Sequence, residues 1–559
     1  MPTPLDPVKI DETGRMISDS RRLLAYGGLD GVVQRPLFDG SGGVFPHFAT
    51  AAQGCRIVDS TGQSLIDWVN GWGPVLLGYR HPKVEQAIIN QLQSGPTLSL
   101  MSPIEIEVAQ LISDMVPCAE MVAFGKNGSD AVTAALRIAR SVTKRDLVLQ
   151  YGFHGFHDWY TCLQPGTRGV LPILKEYVDS FEYNDLPGLK KLLGKYQGRV
   201  AAVIMEPVNM WLPEADYLQQ VKKLTHDHGA LLIFDEMVTA FRVARGGAQE
   251  LYDVIPDLAC LGKGMANGMP LSAVVGKRNY MEHLKACGFG MTFRGETLSL
   301  AAAKATLEVI RDEPVTERMG QIGTLVRDGF HDLCEELEIN CQLSGPSSRM
   351  TFVFHDQGGM SWSEARALFL QECLKAGVLT NGNLLVSYAH DEQAVEETLT
   401  SFRTALTVLQ NAQKQHQQNR PADAALPIGG SMFGVAALQA TGFIDQLQER
   451  DKDLVLDGWI LLNSGVADAI QVRSVDGLQV EAEKVHRPDL KQAFANHDNA
   501  EWAGFRAVLP KDEFADQTAF RFTVDAMADG SSRFQCVVNC RVGQVLAGPW
   551  SISDGVLYL

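Results

Sequence analysis

The sequence predicts an α/β fold built on a large, mostly parallel sheet, joined to a smaller α+β domain and followed by an all-β, sandwich-like domain. Three observations predict it. Short apolar runs such as Val200–Met205 and Ala230–Phe234 alternate with segments of helical spacing through about residue 280, as expected of strands buried on both faces of a parallel sheet. These two runs end in acids, Glu206 and Asp235, at the edge where open α/β sheets bind their ligands. Beyond a polar, proline-containing stretch at 413–430, the apolar period changes to two around Asp-Gly turns, the mark of antiparallel hairpins.

The 559 residues suggest about three or four domains, and 45% hydrophobic with 21% charged residues is ordinary globular composition. Forty-nine basic against 66 acidic residues, a net charge of −17, argue against nonspecific binding to nucleic acid or to an anionic membrane. Ten scattered cysteines form neither a zinc pattern nor a disulfide framework, so no metal is expected. The N-terminus Met1-Pro-Thr-Pro-Leu-Asp-Pro lacks the regions of a signal peptide, and no stretch approaches the ~20 apolar residues of a membrane span. A cytoplasmic protein is expected.

In chain order, residues 14–34 read as helix then loop, and a strand and hairpin follow Gly54, turning at Ser60-Thr61-Gly62. Asn70 to Pro82 is too broken by Gly and Pro to be regular. Helical spacing covers 104–116 and 129–142, with a strand at Met121–Phe124 between them. The junction Gly125-Lys-Asn-Gly-Ser-Asp-Ala131 opens the second helix, where free N–H groups and the positive dipole end suit a phosphate; an ordinary helix cap has the same look. Leu147–Gln150 and Val200–Met205 are further strands, and Ala230–Asp235 reads as a central one. It is followed by a loop, Pro256 to Gly264, that carries Lys263 between glycines. An alanine-rich helix at 297–312 crosses to the smaller domain, which has strands near Met350–Phe354 and Leu384–Tyr388 and a last helix at 391–412. The domains are therefore 1–50 with 313–412 (small), 51–312 (large), a linker at 413–430, and 431–559 (C-terminal).

An acid to hold a pyridinium proton and a lysine to make a Schiff base are what pyridoxal phosphate requires. The motifs carrying a resemblance are Gly71-Trp72-Gly73-Pro74 through His81-Pro82, Asn127-Gly128-Ser129-Asp130-Ala131, Phe153-His154-Gly155, Glu206-Pro207 and Phe234-Asp235-Glu236. They continue with Phe241-Arg-Val-Ala-Arg-Gly-Gly-Ala-Gln249, Leu261-Gly-Lys263 and Gly268-Met-Pro270. In order and spacing they resemble the class III aminotransferases of the fold type I pyridoxal phosphate enzymes, in particular the glutamate-1-semialdehyde aminomutase branch, over about residues 20 to 412.

The resemblance implies a role for each matched residue. Lys263 would make the Schiff base and move the substrate proton, and Asp235 would keep the ring nitrogen protonated. Gly128 and Ser129 would hold the phosphate, Phe153 and Met237 would cover the two ring faces, and Glu206 would lie near the phenolic oxygen. His154 would support its loop. Thr292 would reach the phosphate bound by a partner subunit, which makes the active unit a homodimer. Substrate specificity would rest on the loops of Trp72, Arg294, Glu296 and Asn383. Residues 379–390 contain no arginine to clamp a substrate carboxylate, and the Arg294 to Leu300 segment departs from the aminomutase pattern. Both departures, with a C-terminal region that resembles modules of carbohydrate-active enzymes at Asp457-Gly-Trp459, Arg487-Pro-Asp489 and Gly504-Phe505, favour transfer from an amino acid, with glutamate expected, to a carbonyl of a sugar or related metabolite in surface-polysaccharide or nucleotide-sugar synthesis. An intramolecular aminomutase and a non-catalytic scaffold are the alternatives.

Overall fold

Continuous runs of Val, Leu and Ile have no amphipathic face, so they are stable only where both faces are covered, and the computed structural model of the chain places them there. It describes residues 48–164 and 167–418, scattered positions between 16 and 46, and strand segments between 440 and 551. The first elements are β1 (Ala49–Gln53), β2 (Arg56–Asp59), β3 (Ser64–Asp67), α1 (Pro82–Leu92), α2 (Pro103–Met115), β4 (Met121–Gly125), α3 (Gly128–Thr143), β5 (Leu147–Tyr151), β6 (Val178–Ser180), α4 (Leu186–Lys195), β7 (Val200–Met205) and α5 (Tyr217–Asp227). Then come β8 (Leu231–Asp235), β9 (Leu258–Leu261), β10 (Ser272–Gly276), α6 (Thr297–Asp312), α7 (Val315–Glu336), β11 (Cys341–Ser344), β12 (Arg349–Phe354), α8 (Trp362–Lys375), β13 (Val378–Leu379), β14 (Asn383–Leu385) and α9 (Glu392–Gln418).

Seven strands form the large sheet in the order β4-β10-β9-β8-β7-β5-β6, with β10 antiparallel to both neighbours and the others parallel. Every residue of β7, β8 and β9 is buried. Leu258–Leu261, expected as loop, is thus a core strand. Four apolar residues cannot by themselves be told from a loop that packs inward, and pairing with β8 and β10 decides the matter.

The smaller sheet, β11-β12-β14, carries a cluster of aromatic rings. Phe330 of α7 lies 5.1 to 5.9 Å from the rings of Phe352, Phe369 and Phe402, in edge-on geometry. The β2–β3 hairpin follows Gly54 as expected, with β1 added in front and β13 joined parallel to β3. Residues 51–67, expected in the large domain, therefore share a sheet with Val378–Leu379, because a short hairpin is not stable without further strands.

Helix α9 extends through Gln418, so the linker expected from 413 starts six residues too early. Gln, Lys and Ala are good helix formers even where nothing apolar remains to bury. Contacts divide the chain into two units, residues 1–163 with 170–424, and 164–169 with 425–559. The second unit contains β15 (Ala440–Arg450), β16 (Asp453–Leu462), β17 (Gly465–Val466), β18 (Ala469–Ser474), β19 (Gln479–Glu481), β20 (Glu483–Val485), β21 (Gly504–Pro510), β22 (Phe520–Ala528), β23 (Ser531–Cys540) and β24 (Trp550–Ser551). They form two antiparallel sheets, β20-β21-β16-β15-β24 with β17 on β16, and β19-β18-β22-β23. Val472 faces Val480, and Val524 faces Cys536, the hairpin registers that period-two patterning predicts. The turns at Asp476-Gly477 and Asp529-Gly530, the Arg487-Pro488-Asp489 motif, most of 14–34, and residues 419–430 lie outside the described residues.

Phe330→Ala should destabilise the first unit by about 3–5 kcal/mol, the cost of an emptied aromatic site. Urea unfolding monitored by circular dichroism measures it; a loss below about 1 kcal/mol would mean that the cluster collapses freely around the gap.

Candidate active site

A carboxylate buried at the end of a central strand must be met by donors, because an unpaired buried charge costs several kcal/mol. Asp235, the last residue of β8, is 3% exposed. Its Oδ1 accepts the Met237 N–H at 3.1 Å and its Oδ2 lies 2.7 Å from Nδ1 of the buried His154. The other ring nitrogen of His154 donates to the Tyr151 carbonyl at 3.0 Å. That carbonyl can only accept, so Nε2 donates there while Nδ1 meets the carboxylate. His154 therefore ties the loop after β5 to the end of β8.

Asp235 and His154 open onto a cavity of about 340 Å³, whose wall also includes Lys263, Glu206, Met237 and Phe153. Lys263 follows β9 with a left-handed backbone, φ +43°, a sparsely populated conformation for a residue with a side chain. Burial brings its ammonium down to about 8, helped by the nearby Arg349 charge and only partly opposed by Glu206 and Asp235. Glu206, just past β7, accepts the Phe153 N–H at 3.1 Å and pairs with Arg349 at 3.3 Å. Burial pushes its carboxyl up, but Arg349, the Phe153 amide, His154 and Lys263 together outweigh that and leave it below the usual carboxylate range.

Arg349 is the residue that the linear motifs missed. It begins β12, far from them in sequence, and reaches the wall only because that strand starts beside Glu206. Lys126 is also on the wall and pairs with Glu296 at 2.9 Å. Its position next to the Asn127-Gly128-Ser129 motif was the available clue.

The start of α3 supplies the remaining wall. Asp130 accepts the Asn127 and Lys126 N–H groups at 2.8 and 3.1 Å and so closes a capping box. Gly128 and Ser129, as the first two helical residues, keep N–H groups with no partner inside the helix, and both line the cavity. The Ser129 hydroxyl accepts the Phe156 N–H at 3.1 Å, which leaves its own proton to give. A side chain at Gly155, φ +92°, would overlap that hydroxyl, and one at Gly128 would meet the Met237 sulfur. The space is kept clear for an anion at a helix N-terminus, so a phosphate fits.

Five expected residues are not on this wall. Glu296, expected at the substrate, pairs with Lys126 and accepts the Leu298 and Ser299 N–H groups that begin α6. The Asn383 amide accepts from Thr351 and donates to Asn381, inside the β12–β14 pair. Trp72 sits in a turn where Asn70, Gly71, Trp72 and Gly73 all have positive φ, and the residue is 42% exposed. Thr292 and Arg294 are exposed in the turn before α6. Beneath the Trp72 turn lies Arg242, 1% exposed, whose guanidinium donates to the carbonyls of Val386 at 2.6 Å and Gly73 at 2.7 Å. Burial lowers it to about 9.

The model of the class-III aminotransferase family matches residues 38–389. A glutamate-1-semialdehyde 2,1-aminomutase of Roseiflexus castenholzii is 34% identical over 70% of this chain and 97% of its own length. A 3-aminobutyryl-CoA aminotransferase of Cloacimonas acidaminovorans is 30% identical over 72% of the chain and 98% of its own. Among solved structures, the PLP internal aldimine form of the FumI protein of Sphingopyxis sp. MTA144 is 30% identical, with a TM-score of 0.66 over 71% of this chain and 96% of that one.

The lowered lysine makes a pH prediction. Reductive methylation of Lys263 in cofactor-free protein, followed by peptide mass spectrometry, should rise with a midpoint near pH 8, because deprotonation starts well below the 10.5 of an ordinary lysine. A midpoint above pH 10 would mean that the amine is solvated.

Proposed function

This chain belongs to the class-III aminotransferases, and from that membership we propose that it moves an amino group from an amino acid, glutamate, to a carbonyl of a sugar or related small metabolite. It is an enzyme, and its cofactor is pyridoxal phosphate. What supports the reading most directly is the shared cavity of Lys263, Asp235 and the α3 start: an amine, an acid and an anion cradle. When bound, pyridoxal phosphate supplies a carbonyl that takes up amines and a protonated ring that draws electrons from the substrate carbon.

The protein's share is binding and proton handling. Gly128, Ser129 and the dipole of α3 would hold the phosphate, and Asp235, kept in place by His154, would hold the proton at the ring nitrogen. Phe153 and Met237 would cover the ring faces and keep water out. Lys263 Nζ, a free amine in a useful fraction near neutral pH, would be the covalent anchor and would then take the proton from the substrate carbon and return it across the same face. Glu206 would stand by the phenolic oxygen.

A homodimer belongs to the same proposal. Thr292 is exposed and off the wall of its own cavity, next to the exposed Phe293, and the Thr297 N–H to Pro96 carbonyl bond brings the exposed Leu98, Leu100 and Met101 segment alongside. No helix among the described residues is long and apolar enough to cross a membrane, and a cytoplasmic location is proposed with it. The sugar acceptor rests on the departures in sequence and on the extra β-rich unit. The aminomutase reading has its own support in the relative of that name.

Incubation with glutamate should convert the bound cofactor and release one 2-oxoglutarate per site, and a carbonyl acceptor should restore the starting absorbance. An aminomutase would instead turn over glutamate 1-semialdehyde with no external donor. Lys263→Ala should lose the covalent cofactor band and on the order of 10⁴-fold or more of the rate, since the one group acts as both anchor and base. A band that persists in that variant would overturn the lysine's role.

A further inference from the structure

We propose that Arg242 is a positioning residue for Lys263: it fixes the Gly73 carbonyl, and with it the face of the turn against which the lysine side chain lies, and it sets a positive charge behind the amine. The inference rests on Lys263 as the reactive amine of the function proposed above.

A guanidinium buried with no acid beside it is costly, so its place calls for a reason. Arg242 lies in the turn after β8, with its N–H on the Thr239 carbonyl at 3.1 Å, and is 1% exposed. Its Nη2 donates to the Gly73 carbonyl at 2.7 Å, and its Nη1 donates to the Val386 carbonyl at 2.6 Å and more loosely to the Ser348 carbonyl at 3.5 Å. Among the described residues it has no carboxylate partner. The three carbonyls belong to three segments that meet behind the cavity. Gly73 precedes Pro74 and Ser348 precedes Arg349, both on the wall, and the Val386 N–H donates to the Ser348 carbonyl at 3.1 Å. The planar fork of an arginine reaches carbonyls on separate segments at once.

Gly73 carries the effect to the lysine. It has φ +99°, and a Cβ there would stand 3.7 Å from Lys263 Cδ and 4.0 Å from Arg242 Nη2. The guanidinium and the lysine chain therefore meet across one bare glycine. Burial lowers the Lys263 ammonium most and the Arg349 charge next, Glu206 and Asp235 oppose them, and the Arg242 charge adds to the lowering. Asp235 is shared with His154, and Lys126, also on the wall, is paired with Glu296. Arg349 is partly offset by Glu206 at 3.3 Å, whereas Arg242 has only carbonyl dipoles around it. Burial brings Arg242 down to about 9, which leaves it charged at neutral pH.

Two variants separate its charge from its bonds. Arg242→Gln keeps a donor and loses the charge, and Arg242→Lys keeps the charge and loses the fork. Reductive methylation of Lys263 in the cofactor-free proteins, read by peptide mass spectrometry across pH, follows the amine, and urea unfolding by circular dichroism checks the fold. Arg242→Gln should raise the midpoint by about half a unit to one unit, which leaves about 3- to 10-fold less neutral amine at pH 7, and should lower kcat by a similar factor with KM for glutamate within about two-fold. Arg242→Lys should keep the parent midpoint while kcat falls about 3-fold, because fewer bonds hold the turn. An unchanged midpoint in Arg242→Gln, an equal shift in both variants, or loss of the cooperative unfolding transition in either would each overturn the proposal. If the parent protein loads no cofactor or releases no 2-oxoglutarate, the proposed function fails instead, and the methylation midpoints still decide the role of Arg242.

Discussion

The contact between His154 and Asp235 constrains the surrounding cavity. A carboxylate that is 3% exposed at the end of a parallel strand is tolerable only when donors meet it, and the imidazole at 2.7 Å is the strongest of them. Because His154 is also held by the Tyr151 carbonyl, the loop after β5 has little freedom. That loop brings Phe153, whose N–H then fixes Glu206, and Gly155, whose missing side chain leaves room for the Ser129 hydroxyl. A single buried acid thus propagates through three strand ends to the helix start that can take an anion.

The charges around the cavity are arranged in unequal sizes of commitment. Arg242 is buried and, among the described residues, has only carbonyls for partners, which costs desolvation and ties the Trp72 turn to the end of β14. The turn needs such a tie, since an aromatic residue at φ +71° does not hold that conformation by preference. Arg349 is half-committed to Glu206, and Lys263 is left with less proton affinity than an ordinary lysine. The arrangement suits an amine that must be neutral to react.

Some of this was legible in the linear sequence. Period and composition were enough for β4, β5, β7 and β8, for α2, α3 and α6, and for the hairpins β18–β19 and β22–β23, because each is defined by its own residues. The motifs around Ser129, His154, Glu206, Asp235 and Lys263 were visible because each sits at the end of a local element, and the strand ends of one parallel sheet converge. β9, β10's antiparallel direction, and the union of β3 with β13 were not visible, since each depends on which distant strand offers a free edge.

The same division runs through the side chains. The sequence by itself determined the chemistry available, an acid, a lysine and a glycine-serine helix start, because those groups act through their type and their place at an element's end. Only the tertiary structure decided how the longer side chains are spent. Glu296 went to a helix cap and Lys126, Asn383 to its neighbours in the small sheet, and Arg349, unremarkable in the chain, to the wall beside Glu206. A carboxylate or guanidinium bonds whatever the fold brings within about 3 Å, and for residues a hundred positions apart no local pattern encodes that meeting.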